Sequence, residues 1–337
     1  MRTHIFVFSE KGARLALRVR EYFKDSTVHS IERPAAPYGF AAHRSIPVDM
    51  EPLFKEAELL VFIGACGIAV RSIAPYVKSK AAGPAVLVID DAGTFVIPIL
   101  SGHIGGANRM ARGLAGYLGA VPVITTATDI AGRFSVDAWA AEHAFVISSM
   151  DAAKRVSAAI LETDVPITVE KPLSDPLPAG LAKADSGTLG IYIGIRRRSP
   201  YGETLRLVPR AVTLGIGCRR GVPEAAIRET AASALDSAGL DFLSVGHICS
   251  IDAKRDEAGL LSFCESLGIA PEFYSAAELA AVKGEFEESE FVRTTVGVGN
   301  VCERAAMVRG GTLIVPKYAA GGVTAAASEA DWRISFE

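Results

Sequence analysis

The sequence predicts a multi-domain α/β protein, and three observations lead to this prediction. The chain has 337 residues, more than one ordinary domain needs, and half of them are apolar, enough to fill full-sized cores. Short apolar strands alternate with helical segments at both ends of the chain, a pattern typical of mainly parallel sheets. A proline-rich stretch interrupts this pattern. We therefore expect N-terminal and C-terminal three-layer α/β domains, residues 1–135 and 210–337, joined by a small α+β middle domain, residues 136–209.

The N-terminal domain begins with a predicted strand at Ile5–Phe8 and a helix at Lys11–Phe23. Apolar runs that end in glycine-rich or polar loops predict four more strands: Leu59–Ile63, Ala85–Ile89, Phe95–Leu100 and Val121–Ile124. Helices are expected at Ile68–Val77 and Ala107–Leu118. The Asp90–Gly93 turn predicts one antiparallel hairpin within an otherwise parallel sheet.

The middle and C-terminal segments differ in their proline content. Four prolines in the middle segment predict a stretch outside the core elements: Pro166, Pro172, Pro176 and Pro178. After residue 210 the strand–helix alternation returns, with strands at Ala211–Ile216, Val245–Cys249 and Thr312–Val315, and helices at Pro223–Ala238, Ala253–Leu267 and Ala276–Val282. Ser275 and Glu278 form a predicted capping box at the start of the last helix.

Charge and composition exclude several classes of protein. The net charge is −3 with acids and bases interspersed, so the basic field of a nucleic-acid binder is missing. The five cysteines include no CxxC pair, which argues against a disulfide framework or a zinc ribbon. The apolar run at the N-terminus is too short for a signal peptide, and no run approaches the roughly 20 residues of a membrane span. We expect a cytoplasmic protein with no membrane partner.

The strongest local signal is the loop Ser101–Asn108, SGHIGGAN, between a predicted strand and a predicted helix. Glycines let the backbone approach a ligand closely, and the first N–H groups of the helix can bind an anion. His103 can donate or accept a proton near neutral pH. The spacing matches neither GxGxxG nor a Walker P-loop. The alternative is a tight strand–helix turn in which His103 is a local hydrogen-bond partner.

Further loops follow other strands of the predicted sheets. Gly64 and Gly67, with Arg71 one helical turn later, suit a carboxylate ligand, and Thr125 and Thr126 offer hydroxyl groups. In the C-terminal domain, the loop from Gly217 through Arg219 and Arg220 suits a polyanion, and Lys254 can serve as a ligand cation. Glu303 lies at a helix start, where a stabilising role is the alternative to proton transfer. Helix caps and solvated helix faces are the simpler explanations for the other residues.

Six stretches, in this order along the chain, resemble the CbiG family, the cobalt-precorrin-5A hydrolases of anaerobic cobalamin biosynthesis. They are LSGHIGGAN (Leu100–Asn108), PVITTATD (Pro122–Asp129), GIGCRRG (Gly215–Gly221), SIDAKRDEAGL (Ser250–Leu260), VGVGNVCERAA (Val296–Ala306) and VPK (Val315–Lys317). The resemblance extends from about residue 50 to the end. Arg304 stands where many relatives carry proline.

The resemblance implies a reaction and a substrate. The substrate is a cobalt-containing macrocycle whose ring A acetate has closed a δ-lactone onto carbon 20. Water opens the lactone, carbon 20 leaves with its methyl group as acetaldehyde, and the product is cobalt-precorrin-5B. The cobalt is carried by the substrate, so we expect neither a cofactor nor a metal site of the protein. The six histidines contain no HxH or HxxxH pair. Transient contact with neighbouring pathway enzymes is also expected.

For this reaction we expect His103 to act as acid and base, with Glu303 as a second proton-transfer group. The backbone N–H groups of Gly105 and Gly106 are candidate oxyanion donors. The expected substrate-binding set spans both domains: Gly64, Gly67, Arg71, Ser101, Gly102, Gly105, Gly106, Asn108, Thr125, Thr126, Gly217, Arg219, Arg220, Lys254 and Lys317.

Two other functions stay open at this point. A corrinoid carrier would bind the same macrocycle without hydrolysing it. A nucleotide- or phosphate-dependent transferase would use Ser101–Asn108 as an anion cradle, although no P-loop lysine or Mg²⁺-binding serine or threonine follows those glycines.

Overall fold

The computed structural model describes residues 1–31, 38–43, 50–78, 83–102, 105–173 and 175–336. The chain forms two compact units, residues 1–143 and 144–337. The described residues carry three sheets with helices packed on them, which confirms the predicted α/β class. The middle sheet belongs to the second unit, whereas the domain boundaries at 135 and 209 stay predictions.

The first unit contains one sheet and helices on both faces. Its strands are β1 (Thr3–Val7), β2 (Thr27–Ile31), β3 (Ala41–His43), β4 (Leu59–Ile63), β5 (Ala85–Ile89), β6 (Phe95–Leu100) and β7 (Val121–Pro122). Its helices are α1 (Glu10–Tyr22), α2 (Met50–Glu56), α3 (Cys66–Ile73), α4 (Ala107–Leu118), α5 (Ala127–Ile130) and α6 (Val136–Glu142), with a 3₁₀ turn at Ala74–Tyr76.

The strand order in the first unit is β3-β2-β1-β4-β5-β6-β7. The first five strands in this order, from β3 through β2, β1 and β4 to β5, are parallel. Strand β6 runs antiparallel to β5, and β7 runs parallel to β6. The predicted hairpin at Asp90–Gly93 is thereby confirmed. Because β6 is reversed, the loops after β6 and β7 lie at the end of the sheet where β4 and β5 begin.

Both faces of this sheet are buried, as the uninterrupted apolar sequences of β4 and β5 require. One face packs Ile5, Val61 and Leu87 against α1 and α4. The other packs Phe6, Phe62 and Val88 against α2 and α3. Both faces of the sheet are therefore covered, and the ends of its strands position the loops that follow them.

The second unit contains the other two sheets. Its strands are β8 (Phe145–Ile147), β9 (Val165–Val169), β10 (Leu181–Lys183), β11 (Leu189–Ile193), β12 (Glu203–Pro209), β13 (Val212–Cys218), β14 (Val245–Ile251), β15 (Pro271–Tyr274), β16 (Thr312–Ala320) and β17 (Val323–Glu329). Its α-helices are α7 (Met150–Glu162), α8 (Glu224–Ser237), α9 (Ala258–Leu267), α10 (Ala276–Ala281), α11 (Glu290–Val296) and α12 (Cys302–Met307).

The middle sheet has the order β10-β9-β11-β12-β8. The prediction that its prolines lie outside core elements is wrong for Pro166, which lies within β9. Pairing of β9 with β11 begins only at Ile167, so the absent N–H of Pro166 is not required by the ladder.

The C-terminal sheet has the order β15-β14-β13-β17-β16, with β13 to β15 parallel and β16 and β17 antiparallel to their neighbours. The strand predicted at Thr312–Val315 is longer than expected, because β16 continues through Pro316 to Ala320. This edge strand accommodates the proline at a register shift between Val315 and Tyr318. The capping box of Ser275 and Glu278 is confirmed.

The helix predicted at Ala253–Leu267 begins later, at Ala258. Residues Asp252–Lys254 form a 3₁₀ turn instead, and Glu257 is the N-cap of α9 in an extended conformation. This arrangement turns the Lys254 and Glu257 side chains into the protein.

Close packing explains one signature glycine. An added Cβ at Gly215 would lie 1.9 Å from the carbonyl oxygen of Cys302 and 2.5 Å from the amide nitrogen of Ala306. Only glycine lets α12 approach β13 this closely.

Within the described ranges, every helix is too short or too polar to span a lipid bilayer.

Candidate active site

The loop after β6 folds back on itself before α4 begins. Ser101 has a φ of 55° and Gly106 a φ of 74°, both in the left-handed region. The N–H groups of Ala107 and Asn108 donate to the carbonyl oxygens of Ser101 and Gly102, at 3.2 and 3.0 Å. Two N–H groups of the helix start are therefore used within the loop, which disfavours a phosphate cradle of the P-loop type.

Gly105 lies at the tightest point of this turn. An added Cβ there would lie 2.5 Å from Cβ of Ser101 and 2.9 Å from its carbonyl oxygen. The described residues provide no hydrogen-bond partner for the N–H groups of Gly105 and Gly106. His103, the predicted acid and base, lies outside the described residues, so its role stays a prediction.

A cavity of about 320 Å³ opens beside this loop. Its wall combines the glycines of the loop with charged side chains and with two alanines of α6. The lining residues are Gly102, Gly105, Gly106, Asn108, Arg109, Arg112, Asp129, Ala138, Ala141 and Glu142. The structure thus places four of the predicted residues of this loop around one concavity: Gly102, Gly105, Gly106 and Asn108.

Asn108 connects the two strand ends that border the cavity. Its side chain is buried, and Nδ2 donates to Thr126 Oγ1 at 2.8 Å and to Asp129 Oδ2 at 2.9 Å. Asn108 Oδ1 would lie 2.8 Å from a Cβ at Gly102, so a larger residue there would displace the amide. The loop after β6 and the loop after β7 are therefore held together by one amide group.

Two ion pairs lie along the cavity wall. Arg112 pairs with Asp129, and Arg109 pairs with Glu142 at 2.6 Å. The Asp129 side chain is 15% exposed, whereas the Arg109 and Glu142 side chains are 62% and 49% exposed. Asp129 is thus the more shielded of the two carboxylates.

Gly64, Gly67 and Arg71 lie elsewhere in the first unit. They follow β4, whose carboxyl end meets the carboxyl end of β5, and Gly64 N–H donates to the Ile89 carbonyl at 2.8 Å. The Arg71 guanidinium lies against Gly67, as the helical spacing predicted. Strand β5, which spans five residues, separates this end of the strands from the end at which Ser101 lies. The two loops therefore lie at opposite ends of the strands, roughly 13 Å apart along them.

In the second unit, Arg220 and Lys254 share one buried carboxylate. Glu257 is 6% exposed, and its oxygens accept from Gly221 N–H at 2.9 Å and from Lys254 Nζ at 3.4 Å. Arg220 lies 3.5 Å from Glu257 and 3.2 Å from the exposed Asp256. We call Arg220, Lys254 and Glu257 the Glu257 cluster. Burial raises the pKa of the neighbouring Cys218 thiol, and the Lys254 ammonium acts in the opposite direction.

Glu303 braces several segments of the second unit. It is 4% exposed, and its carboxylate accepts from Lys317 N–H at 2.8 Å, from Glu287 N–H at 3.2 Å and from the Asn300 amide. A carboxylate that holds three donors has little capacity left for proton transfer. The geometry favours the stabilising role, and the acid–base role stays a prediction.

The remaining predicted residues of the second unit have diverse surroundings. Lys317 Nζ lies 3.3 Å from Glu287, and a Cβ at Gly217 would lie 2.6 Å from Thr324 Oγ1. Arg219 is exposed and has no acidic partner among the described residues. Arg71 of the first unit also has no acidic partner among them. These two arginines are available to an external carboxylate.

Sequence reasoning missed a row of three histidines on β1, β2 and β3. His4 Nδ1 lies 2.9 Å from His29 Nε2, and His29 Nδ1 lies 2.9 Å from His43 Nε2. Burial lowers the pKa of His4. A search for HxH or HxxxH spacing finds neighbours on one element only, whereas these histidines meet across strands. Among the described residues, no group of three His, Cys, Asp or Glu is arranged to hold a metal ion.

Comparison with known proteins places these features in a family. The family model "Cobalamin synthesis G N-terminal" matches residues 49–129, and "Cobalamin synthesis G C-terminus" matches residues 212–328. A Salmonella typhimurium protein named cobalt-precorrin-5A hydrolase is 37% identical over 79% of this chain and 80% of its own length. This chain belongs to the CbiG family.

Two further relatives have similar names. A Priestia megaterium cobalt-precorrin-5A hydrolase is 32% identical over 83% of this chain and 80% of its own length. A Methanocaldococcus jannaschii protein named probable cobalt-precorrin-5A hydrolase is 24% identical over 79% and 84%.

The CbiG motifs meet in pairs in the structure. LSGHIGGAN and PVITTATD are joined by Asn108 and Thr126, and GIGCRRG and SIDAKRDEAGL by Gly221 and Glu257. VGVGNVCERAA packs on Gly215 and is joined to VPK by Glu303 and Lys317. Arg304 donates to three carbonyl groups at the end of α10 and after it, and its guanidinium lies 4.7 Å from the Phe286 ring centroid.

Proposed function

We propose that this chain is a cobalt-precorrin-5A hydrolase. The observation that carries the proposal is its 37% and 32% identity to two proteins of that name, over about four-fifths of their lengths. The expected reaction opens the ring A δ-lactone with water and releases carbon 20 with its methyl group as acetaldehyde. The cobalt enters and leaves with the macrocycle, so no metal held by the protein takes part in this scheme.

The cavity beside Gly105 suits one part of such a substrate. Its volume of about 320 Å³ lies at the lower end of ligand pockets, which span about 300–1,000 Å³. A cavity of that size takes one edge of a macrocycle, not the whole ring. We propose that this edge carries the lactone, because lactone hydrolysis needs donors for a developing oxyanion and the N–H groups of Gly105 and Gly106 border the cavity.

The substrate is rimmed by carboxylates, and each unit offers cations for them. Arg71 and Arg219 are the candidates without an acidic partner among the described residues. Arg220, Lys254 and Lys317 already lie next to Asp256, Glu257 and Glu287, so a substrate carboxylate would have to compete with these acids. Within the second unit we propose Arg219 as a stronger carboxylate contact than the Glu257 cluster. Arg71 lies at the opposite end of the strands from the cavity beside Gly105, so its contact with the substrate stays a prediction.

The test is an anaerobic assay of the purified chain with cobalt-precorrin-5A, in which acetaldehyde is trapped and the macrocycle is followed by mass spectrometry. One acetaldehyde per macrocycle is the expected result. Tight binding of the macrocycle without acetaldehyde would contradict the hydrolase and favour a carrier of the same corrinoid. Loss of release in His103→Ala, with binding retained, is expected if His103 is the acid and base.

A further inference from the structure

Arg109 and Glu142 form an ion pair at the cavity wall, and none of the roles above uses it. Arg109 Nη1 donates to Glu142 Oε1 at 2.6 Å. The same guanidinium also lies beside the loop before α4, because its Nη2 would be 3.6 Å from a Cβ at Gly106. Arg109 therefore reaches from the glycine loop to helix α6, next to one of the proposed oxyanion donors.

Most hydrogen-bond donors of this guanidinium are not used within the protein. An arginine side chain carries five N–H donors. Among the residues that the structure describes, Glu142 is the acceptor that Arg109 contacts. The cavity wall thus presents unused N–H groups beside Gly106, and these groups suit an anionic part of a ligand.

The pair of Arg109 and Glu142 is also easy to exchange. The two side chains are 62% and 49% exposed, and exposed ion pairs contribute little to stability because water screens their charges. The neighbouring Arg112 pairs with Asp129, whose side chain is only 15% exposed and also accepts from Asn108. A carboxylate that enters the cavity can therefore replace Glu142 on Arg109 more easily than it can replace Asp129 on Arg112.

Helix α6 leaves room for such a carboxylate. Ala138 lies three residues before Ala141 and four before Glu142, so the three share the face of α6 that lines the cavity. The residues beside Glu142 on this face are small, whereas the opposite face of the helix is buried. Helix α6 lies between the segments matched by the family models, 49–129 and 212–328, so no family motif points to it.

We propose that Arg109 binds one of the peripheral carboxylates of the macrocycle, which takes the place of Glu142. The assignment rests on the proposed function. A guanidinium holds a carboxylate in a fixed orientation through two parallel N–H···O bonds. Because Arg109 lies beside Gly106, this contact positions the lactone carbonyl at the N–H groups of Gly105 and Gly106. Glu142 occupies the guanidinium when the substrate is absent.

The first experiment measures the Kd of cobalt-precorrin-5A under anaerobic conditions from the absorbance of the macrocycle. Arg109→Gln should raise this Kd about tenfold to hundredfold, the usual loss for a hydrogen bond to a charged group. Arg109→Lys should recover part of the affinity, because it keeps the charge but cannot form two parallel bonds. In the acetaldehyde assay KM should rise while kcat changes by less than about threefold, because the contact is made equally in the ground state and the transition state.

A matched control removes an arginine from an exposed ion pair elsewhere. Arg155 pairs with Glu203 in the second unit, and both side chains are exposed. Arg155→Gln should leave Kd, KM and kcat unchanged.

The second experiment tests the exchange through Glu142→Gln. This variant should lower Kd by a factor of up to about five, because the substrate no longer has to displace an acid from an exposed pair. In the Arg109→Gln background the same change should have clearly less effect, as expected for two residues that interact. Raising the NaCl concentration should weaken binding to the unchanged chain more than binding to Arg109→Gln.

Several results would overturn the inference. These are an unchanged Kd in Arg109→Gln, weaker binding in Glu142→Gln, and a gain of affinity in Glu142→Gln that persists in full without Arg109. A loss confined to kcat would also contradict it, because it would place Arg109 at the lactone itself. If Arg109→Gln shows no cooperative thermal transition, the direction of the Kd change in Glu142→Gln decides.

Failure of the proposed function has a different signature. Binding of the macrocycle by the unchanged chain without release of acetaldehyde would contradict the hydrolase. The Kd values of the Arg109 and Glu142 variants would still decide the carboxylate contact.

Discussion

The loop before α4 and the end of β13 both carry glycines at which a Cβ would not fit, yet they use them differently. Gly105 is crowded by its own loop, and its N–H borders a cavity of about 320 Å³. Gly215 is crowded by the backbone of α12 and is buried. In the first case the glycine shapes a cavity, and in the second it lets two elements pack. Glycine-rich motifs of one family therefore line a cavity in one unit and permit close packing in the other.

The charged groups near the loop before α4 and near the end of β13 differ in the same way. Asp129 and Arg112 line a cavity, whereas in the Glu257 cluster one buried carboxylate is shared by two cations and a backbone N–H. A buried carboxylate that is paired on several sides is costly to disturb and is suited to holding loops together. Three substitutions test this contrast and a fourth concerns pH, and they follow from the largest expected effect to the smallest.

Gly215→Ala should destabilise the second unit by more than about 3 kcal/mol, since the groups that its Cβ would meet are backbone atoms that cannot move aside. Chemical denaturation of the full chain measures this. Gly217→Ala is the matched control, because its Cβ would meet the Thr324 hydroxyl, which can rotate away. Equal losses in the two variants would contradict the packing role of Gly215.

Gly105→Ala should lower kcat by about a hundredfold, the usual loss when an oxyanion donor is displaced. The unfolding transition should change far less than in Gly215→Ala. Gly116→Ala in α4, where an added Cβ meets nothing within 4 Å, is the control and should slightly stabilise the protein. A Gly105→Ala enzyme with full activity would remove this loop from the active site.

Glu257→Gln should lower the free energy of unfolding by about 2 kcal/mol, because it leaves the charge of Lys254 without its buried partner. Asp256→Asn removes the exposed acid from Arg220 and should have no measurable effect on stability. If Glu257→Gln left stability intact but abolished turnover, the Glu257 cluster would belong to the chemistry instead.

The smallest effect concerns pH and His4. Burial lowers the pKa of His4 from its usual value of 6.5, with Glu56 opposing this shift and Arg2 adding to it. The folded state therefore binds fewer protons than the unfolded state below pH 6.5, so His4 should reduce stability as pH falls below that value. His4→Gln should flatten the pH dependence of the thermal transition between pH 5 and 7. A slope that is unchanged in this variant would exclude the contribution.

Elements with a strong local signal were predicted correctly. The strands Leu59–Ile63, Ala85–Ile89 and Phe95–Leu100 and the helix Ala107–Leu118 have the predicted bounds. Wrong predictions arose where a tertiary contact overrides a local rule. Pro166 is accommodated in β9 because β11 pairs with this strand only from Ile167 onward. Helix α9 begins late because Lys254 and Glu257 turn inward.

By itself the sequence determined the α/β class, the strand–helix alternation and the family, because apolar periodicity, glycine turns and motifs are local properties of the chain. Only the tertiary structure decided which of these parts come together. The reversal of β6 places Ser101 and Thr126 at one end of the strands and Gly64 at the other, and the Asn108 side chain donates to both Thr126 and Asp129. Such contacts depend on strand direction and on pairing between distant residues, and neither is encoded in the spacing of residues along the chain.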